Sequence, residues 1–291
     1  MTQTLPVPVT APFTKAQRAM IVNLVARAAT AEIMPRFRKL DTGQIETKSH
    51  AQDLVTQADT ATEAMIARGL QIAFPNALVI GEEAAEADPD YREKLSQAEL
   101  GFVIDPVDGT WNFAHGVPVF GTIIAVCRFG RPVFGLIYDP VGKDHIWADI
   151  ETRSTWVTEA GHAKPLRTLP PRPLSQMVGI VEMGGMPPQQ KRQASLHCLE
   201  LSDVVGLHCS AHHHRLLAQG AIDFILASQL KPWDHAAGVL ICGQAGGRAA
   251  FLDGSDYVTS QAEGYLLSAA SSDTWDRVAE VFAHLLPATT S

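Results

Sequence analysis

Positive charge is scarce in this chain. Lysine and arginine number 23 against 31 aspartates and glutamates, for a formal net charge of −8. Phosphate backbones select basic surfaces, so nucleic acid is not expected as the main ligand. The surplus of acid suits a site built for cations. Long apolar runs are missing too. No stretch reaches the roughly 18 consecutive apolar residues that a membrane-crossing helix needs, so no membrane partner is expected. The first residues lack the basic start, apolar middle and small-residue cleavage site of a secretory leader. Cysteine occurs only as Cys127, Cys198, Cys209 and Cys242, with no C-x-x-C spacing. That pattern reads as reduced thiols in a cytoplasmic protein. There is no internal repeat and no low-complexity segment. With 46% apolar residues in a length of 291, the chain has enough for a sizeable core, in one large α/β domain or two small ones.

The most informative stretch that is present runs from Gly101 to Thr110. An apolar run, Phe102-Val103-Ile104, ends in Asp105 and Asp108, with Pro106 and Gly109 forcing a turn. The run reads as a buried strand that delivers two carboxylates together, with Thr110 just beyond. Carboxylates held that close repel one another unless a cation or a shared proton lies between them. Hard divalent ions such as magnesium take oxygen ligands of this kind. Three further acidic segments accompany it. Leu78-Val79-Ile80-Gly81 leads into Glu82 and Glu83. Lys231-Pro232-Trp233-Asp234 opens an apolar, small-residue helix. Asp53 to Asp59, preceded by Lys48, opens another helix. Taken singly, Asp234 and Asp59 read as helix caps.

The rest of the chain supplies the scaffold. Residues 1–13 hold three prolines and read as a mobile tail. Thr14 caps a predicted helix reaching about Met34, and residues 40–52 read as a loop or open hairpin carrying Lys48. A helix after Asp59 stops at Phe74-Pro75-Asn76. Phe120 to about Val157 reads as an antiparallel meander. From Met177 onward strands and helices alternate, which argues for an α/β sheet covered by helices. The proline-rich stretch Pro165–Pro173 divides an α+β half, ending about residue 165, from an α/β half starting about residue 174.

Asp105-Pro-Val-Asp-Gly-Thr110 followed by Asn112-Phe113, and Trp233-Asp-His-Ala-Ala-Gly238, are together similar to the two signature motifs of the inositol monophosphatase family. The resemblance extends over about residues 15 to 285. It implies an alternating αβαβα sandwich of the inositol monophosphatase/fructose-1,6-bisphosphatase type, from residue 14 to the end and usually homodimeric. It also implies a lithium-sensitive phosphoric monoester hydrolase using two or three magnesium ions on a small phosphate-ester substrate. By position, Glu82 matches a bridging metal ligand. Asp105 and the Val107 carbonyl match ligands of the first ion, and Asp108 and Asp234 ligands of the second. Asp59, with Glu83, lies where a weaker third ion or its waters are held, and Lys48 lies near that water network. Thr110 matches the residue that orients the attacking water with Glu82, donating its own proton to Glu82. The amides of Gly109 and Thr110 match a phosphate grip. Asp108, Trp111, Cys209, Ser210, His213 and Asp234 complete the expected substrate contacts. The chemistry explains the ligand types: two ions about 4 Å apart activate a water and neutralise the leaving alkoxide, and rigid strand ends keep their spacing.

Two departures bear on substrate. His213 falls where the family usually has Asp. Ala227 stands seven residues before Asp234, where inositol-specific members carry a Glu that contacts ring hydroxyls. A pocket without those acceptors is not expected to favour inositol 1-phosphate. The segment Pro118 to Ile124 resembles the histidinol-phosphatase branch. The leading expectation is hydrolysis of a small polyol or amino-alcohol phosphate. The alternatives are a histidinol-phosphate phosphatase and a family member acting as a protein-binding regulator. The run His212 to His214 reads as surface or packing.

Overall fold

The computed structural model describes residues 13–40, 43, 45–47 and 54–287. Helix α1 (Lys15–Ala28) begins where expected. Thr14 accepts the Gln17 amide at 3.2 Å while the Gln17 side chain accepts the Thr14 amide at 2.9 Å. This reciprocal cap satisfies two otherwise orphaned amides. The single helix expected to reach Met34 instead changes at Ala29–Ile33 into a π-helical turn. Thr30 Oγ1 donates to the Ala26 carbonyl at 2.8 Å there, competing with the main-chain ladder. The expected tail, residues 1–13, lies outside the described residues except for Phe13. That ring is buried against Phe74, Phe102 and Phe134, so the last residue of the stretch belongs to the core.

A short antiparallel pair, β1 (Ile45–Thr47) and β2 (Leu54–Thr56), leads into α2 (Gln57–Ala73). Next come β3 (Leu78–Gly81), α3 (Glu82–Ala85), α4 (Tyr91–Gln97), β4 (Gly101–Asp108) and α5 (Thr110–Ala114). The expected meander follows as β5 (Gly121–Arg128), β6 (Arg131–Asp139), β7 (Asp144–Asp149), β8 (Thr155–Val157) and β9 (Ala163–Pro165). The second half runs β10 (Val178–Val181), α6 (Pro188–Cys198), β11 (Asp203–Val204), α7 (Ser210–Ala218) and β12 (Phe224–Ala227). It closes with α8 (Pro232–Gln244), β13 (Arg248–Phe251), β14 (Leu266–Ala269) and α9 (Ser272–Val281).

Strands β3 to β9 form a seven-stranded sheet in chain order, with β3 parallel to β4 and each later neighbour antiparallel. The other sheet has five strands in the order β11-β10-β12-β14-β13. Side chains alternate across each strand, and the alternation builds the layers. On the large sheet Phe102, Ile104, Val126 and Phe134 face α1 and α2 through Ile21, Val25, Ile66 and Leu70. Val103, Ile123, Ala125 and Ile137 face the other way, onto Ala236, Ala237 and Ile241 of α8. The five-stranded sheet covers α7 and α8 with Ile180 and Ile225. On its outer face Phe224, Leu226 and Leu267 pack on Ala194 of α6 and on Trp275 and Val278 of α9. The outcome is the expected αβαβα sandwich. Gly135 lets α8 approach β6, because a Cβ there would meet the Ala237 backbone at 2.8 Å.

Candidate active site

The acidic residues gather where strand ends of the large sheet meet the first turns of α7 and α8. Strand β4 is buried along its whole length. Its register with β5 shifts between Asp105 and Asp108, where Pro106 has no amide to give to the ladder. The shift brings both carboxylates to one place. Asp234 arrives from the first turn of α8. Carboxylate oxygens of Asp105, Asp108 and Asp234 all lie within 4.8 Å of one another.

Asp105 and Asp108 are buried, and Asp105 Oδ1 is enclosed without any hydrogen-bond partner. Burial, then the charges of Glu82, Asp108, Asp234 and Asp59, push the Asp105 carboxyl well above the usual carboxylate range. Asp234 is pushed up by burial as well, with Lys231 opposing and Asp108, Glu82 and Glu182 adding to the rise. Such a cluster ionises together only around a cation, and an all-oxygen donor set fits a hard divalent ion. The residues present therefore fit the magnesium that the resemblance implies.

The surroundings orient each acid. Asp108 Oδ1 accepts the Ser210 amide at 3.1 Å, and Oδ2 accepts the Cys209 thiol at 2.9 Å and the Ala211 amide. The start of α7, with its unpaired amides, thus grips Asp108. Cys209, expected to meet substrate, is occupied with Asp108. Glu82, at the start of α3, lies 3.3 Å from Lys231 Nζ. Glu63 had no expected role, yet its carboxylate accepts the amides of Glu83 and Ala84 at 2.9 and 3.0 Å and pins that turn. Its signal was its place one turn after Asp59 on the same helix face.

Asp59 lies at the third position of α2, and Thr56 is the cap. Asp59 Oδ2 accepts the Thr56 amide at 2.9 Å and its hydroxyl at 2.6 Å. The hydroxyl of Thr110, expected on Glu82, instead lies 3.0 Å from Asp59 Oδ1 and 2.9 Å from the Val107 carbonyl. Burial is the main cause that raises the Asp59 carboxyl to about 7. Gly109 adopts φ +86°, which lets β4 turn into α5. Lys48 lies outside the described residues.

A cavity of about 700 Å³ opens over the cluster. Trp111, Ser210, His213, Glu182 and Ser228 line it beyond the acids. Trp111 stacks on His115 at 4.2 Å between ring centroids and leans on His208. His213, expected as a substrate contact, has both ring nitrogens engaged by protein. Nε2 accepts the Leu207 amide at 3.1 Å, and Nδ1 lies 3.0 Å from Glu182 Oε1. His213 and His214 are buried and His212 is partly so, so the run is packing rather than surface.

Glu182, which had no expected role, brings a carboxylate into the cavity from the end of β10. Its signal was present in the sequence. Val178-Gly179-Ile180-Val181-Glu182 is an apolar run ending in an acid, as at Glu82 and Asp105.

Comparison with known proteins supplies the family. Residues 15–287 match the model of the Inositol monophosphatase family. The chain belongs to that family and is a phosphoric monoester hydrolase by class. The "Bifunctional phosphatase IMPL2, chloroplastic" of Arabidopsis thaliana is 31% identical across 79% of this chain, which spans 62% of that protein's length. The "Histidinol-phosphatase" of Streptomyces coelicolor is 30% identical across 80% of this chain and 86% of its own. Among solved structures, the extragenic suppressor protein suhB of Bartonella henselae superposes with a TM-score of 0.77 at 22% identity. That match covers 92% of this chain and 98% of the other, and it shows the shared fold.

Proposed function

We propose that this protein is a magnesium-dependent phosphomonoesterase that hydrolyses a small polyol or amino-alcohol phosphate by attack of water. The observation that carries the reading is Asp105 Oδ1, a buried carboxylate oxygen without a partner inside a three-carboxylate cluster on the cavity. Glu82, Asp105, Asp108, Asp234 and the Val107 carbonyl would hold the ions, with Asp59 near a third. When bound, magnesium supplies Lewis-acid polarisation of the phosphoryl group and of the attacking water.

The remaining steps belong to the chain. Thr110 has one hydroxyl proton to give. Asp59 Oδ1 and the Val107 carbonyl are both within its reach, and a proton given to Asp59 leaves the Thr110 oxygen to accept a hydrogen bond from the attacking water. Glu82 completes the orientation of that water. The amides of Gly109 and Thr110 receive the phosphate, and Trp111 and Ser210 border the ester's alcohol part.

A histidinol phosphate is the more specific alternative, supported by the relative of that name at 30% identity. The homodimer and cytoplasmic setting that the resemblance and four unpaired cysteines suggest are part of this proposal. Sedimentation velocity tests the dimer. Phosphate release from a panel of esters, with magnesium and after chelation, tests the activity. Release that ignores magnesium, or none from any ester, would overturn it.

A further inference from the structure

The wall of the cavity beyond the acidic cluster holds one carboxylate that the metal chemistry does not use. Glu182 follows directly on β10. Its amide donates to the Leu226 carbonyl at 2.9 Å, continuing the parallel register whose last pair is Val181 with Leu226. The next step in that register sets Glu182 beside Ala227. The end of β10 therefore sets a carboxylate beside the end of β12.

Glu182 is held in place. The Leu207 amide donates to His213 Nε2, so the imidazole proton must reside on Nδ1, where it is given to Glu182 Oε1 at 3.0 Å. The His213 side chain is 5% exposed and that of Glu182 is 25% exposed, so the acid reaches the cavity from a buried clamp. A neutral imidazole leaves the pair with a full negative charge. Among the described residues, no lysine or arginine forms an ion pair with Glu182. Burial pushes the Glu182 carboxyl up, but the His213 hydrogen bond and nearby imidazoles outweigh it, and the group stays below its ordinary range. Glu182 also lies close enough to the metal-binding cluster for Asp234 to feel its charge.

We infer that Glu182, clamped by His213, is the specificity-determining residue of the cavity and binds an ammonium group on the alcohol part of the phosphate ester. This rests on the phosphatase reading and narrows it to amino-alcohol phosphates. A carboxylate with one fixed donor keeps free acceptor positions, and a partly enclosed cavity rewards a cation there more than a neutral hydroxyl. A second phosphate at that position would meet like charge.

The test compares ω-aminoalkyl phosphates with ω-hydroxyalkyl phosphates of two, three and four carbons, on the full chain with magnesium, and reads the ratio of kcat/KM within each pair. For the wild-type protein the amino ester should win by about tenfold or more at one chain length, the usual scale of a charged hydrogen bond. Glu182→Gln keeps the shape and the His213 contact, and should cut that ratio about tenfold. Glu182→Asp, which keeps the charge, should retain part of it. A wild-type ratio near one at every length overturns the assignment, even if the Gln variant fails to fold. So does an unchanged ratio in Glu182→Gln. Failure of the wild-type protein to release phosphate from any ester of the panel with magnesium would instead overturn the phosphatase reading and the subsite with it.

Discussion

Thr110 Oγ1 and Asp59 Oδ1 lie 3.0 Å apart, joining residues 51 positions distant in the chain. The same carboxylate closes the cap of α2 through Thr56. One side chain therefore fixes both the start of a helix and the direction of a hydroxyl on the cavity.

The pair should act as a unit. Thr110→Ala and Asp59→Asn are each expected to lower kcat by roughly 10²-fold, the scale of a group that positions a nucleophile. The double variant should lose about as much as either single one, because the second change removes nothing further. Steady-state kinetics of the four proteins settle it. Losses that multiply would show that the two residues act independently.

Stability without metal should fall as pH rises. Asp59 is raised from 3.8 to about 7 in the folded chain, and Asp105 and Asp234 are raised as well. Between about pH 4 and 7 the folded state holds a proton at Asp59 that the unfolded state has released, so unfolding free energy decreases with pH across that window. Asp59 alone accounts for a loss on the order of 4 kcal/mol. Thermal melts in chelator from pH 4 to 8 should show the decline, and magnesium should reverse much of it near pH 7. A melting temperature that climbs steadily from pH 4 to 7 in chelator would contradict the buried-acid cluster.

Asp105→Asn removes one charge from the cluster and keeps the side-chain shape. Phosphate release should fall below detection, while circular dichroism remains that of the folded protein. The pH dependence of the metal-free melt should flatten. Magnesium binding followed by calorimetry should weaken at least about tenfold, as for loss of a charged ligand. Wild-type turnover by this variant would remove Asp105 from the metal site.

Gly109→Ala tests the turn. An L-residue at φ +86° costs about 1–2 kcal/mol. The new Cβ would also stand 2.9 Å from the Val119 carbonyl and 3.1 Å from Cys209 Cβ, next to the thiol that holds Asp108. Urea denaturation should report a loss of about 2 kcal/mol or more, with reduced kcat/KM. Unchanged stability would mean that β4 and α5 meet differently.

The strand ends were readable because burial writes itself as an apolar run and an acid at its end breaks the pattern; Glu82 and Asp105 stand where that rule puts them. Glu182 obeys the same rule. The motif spacing singles out Ala227, and only the pairing of β10 with β12 brings the two positions together. Thr110 was assigned to the wrong carboxylate because Glu82 and Asp59 both stand at helix starts near it, and the choice between them is a matter of distance. The observed start of α2 lies three residues before the expected one for a local reason. Asp59 fills the third helical position, where Glu or Gln is the commoner partner of a Thr cap, so it read as the cap itself. Phe13 carried no pattern among its prolines, and its burial depends on rings from three distant elements.

The first turn of α7 touches both halves of the crevice. Its amides at Ser210 and Ala211 hold Asp108, which belongs to the large sheet, and its His213 holds Glu182, which belongs to the small one. Mechanically the helix is a cross-tie between two plates. Asp108 and Glu182 are both fastened to that turn, so it sets the span between metal centre and pocket wall. A ruler of that kind would measure the length of a substrate from its phosphate to its far end.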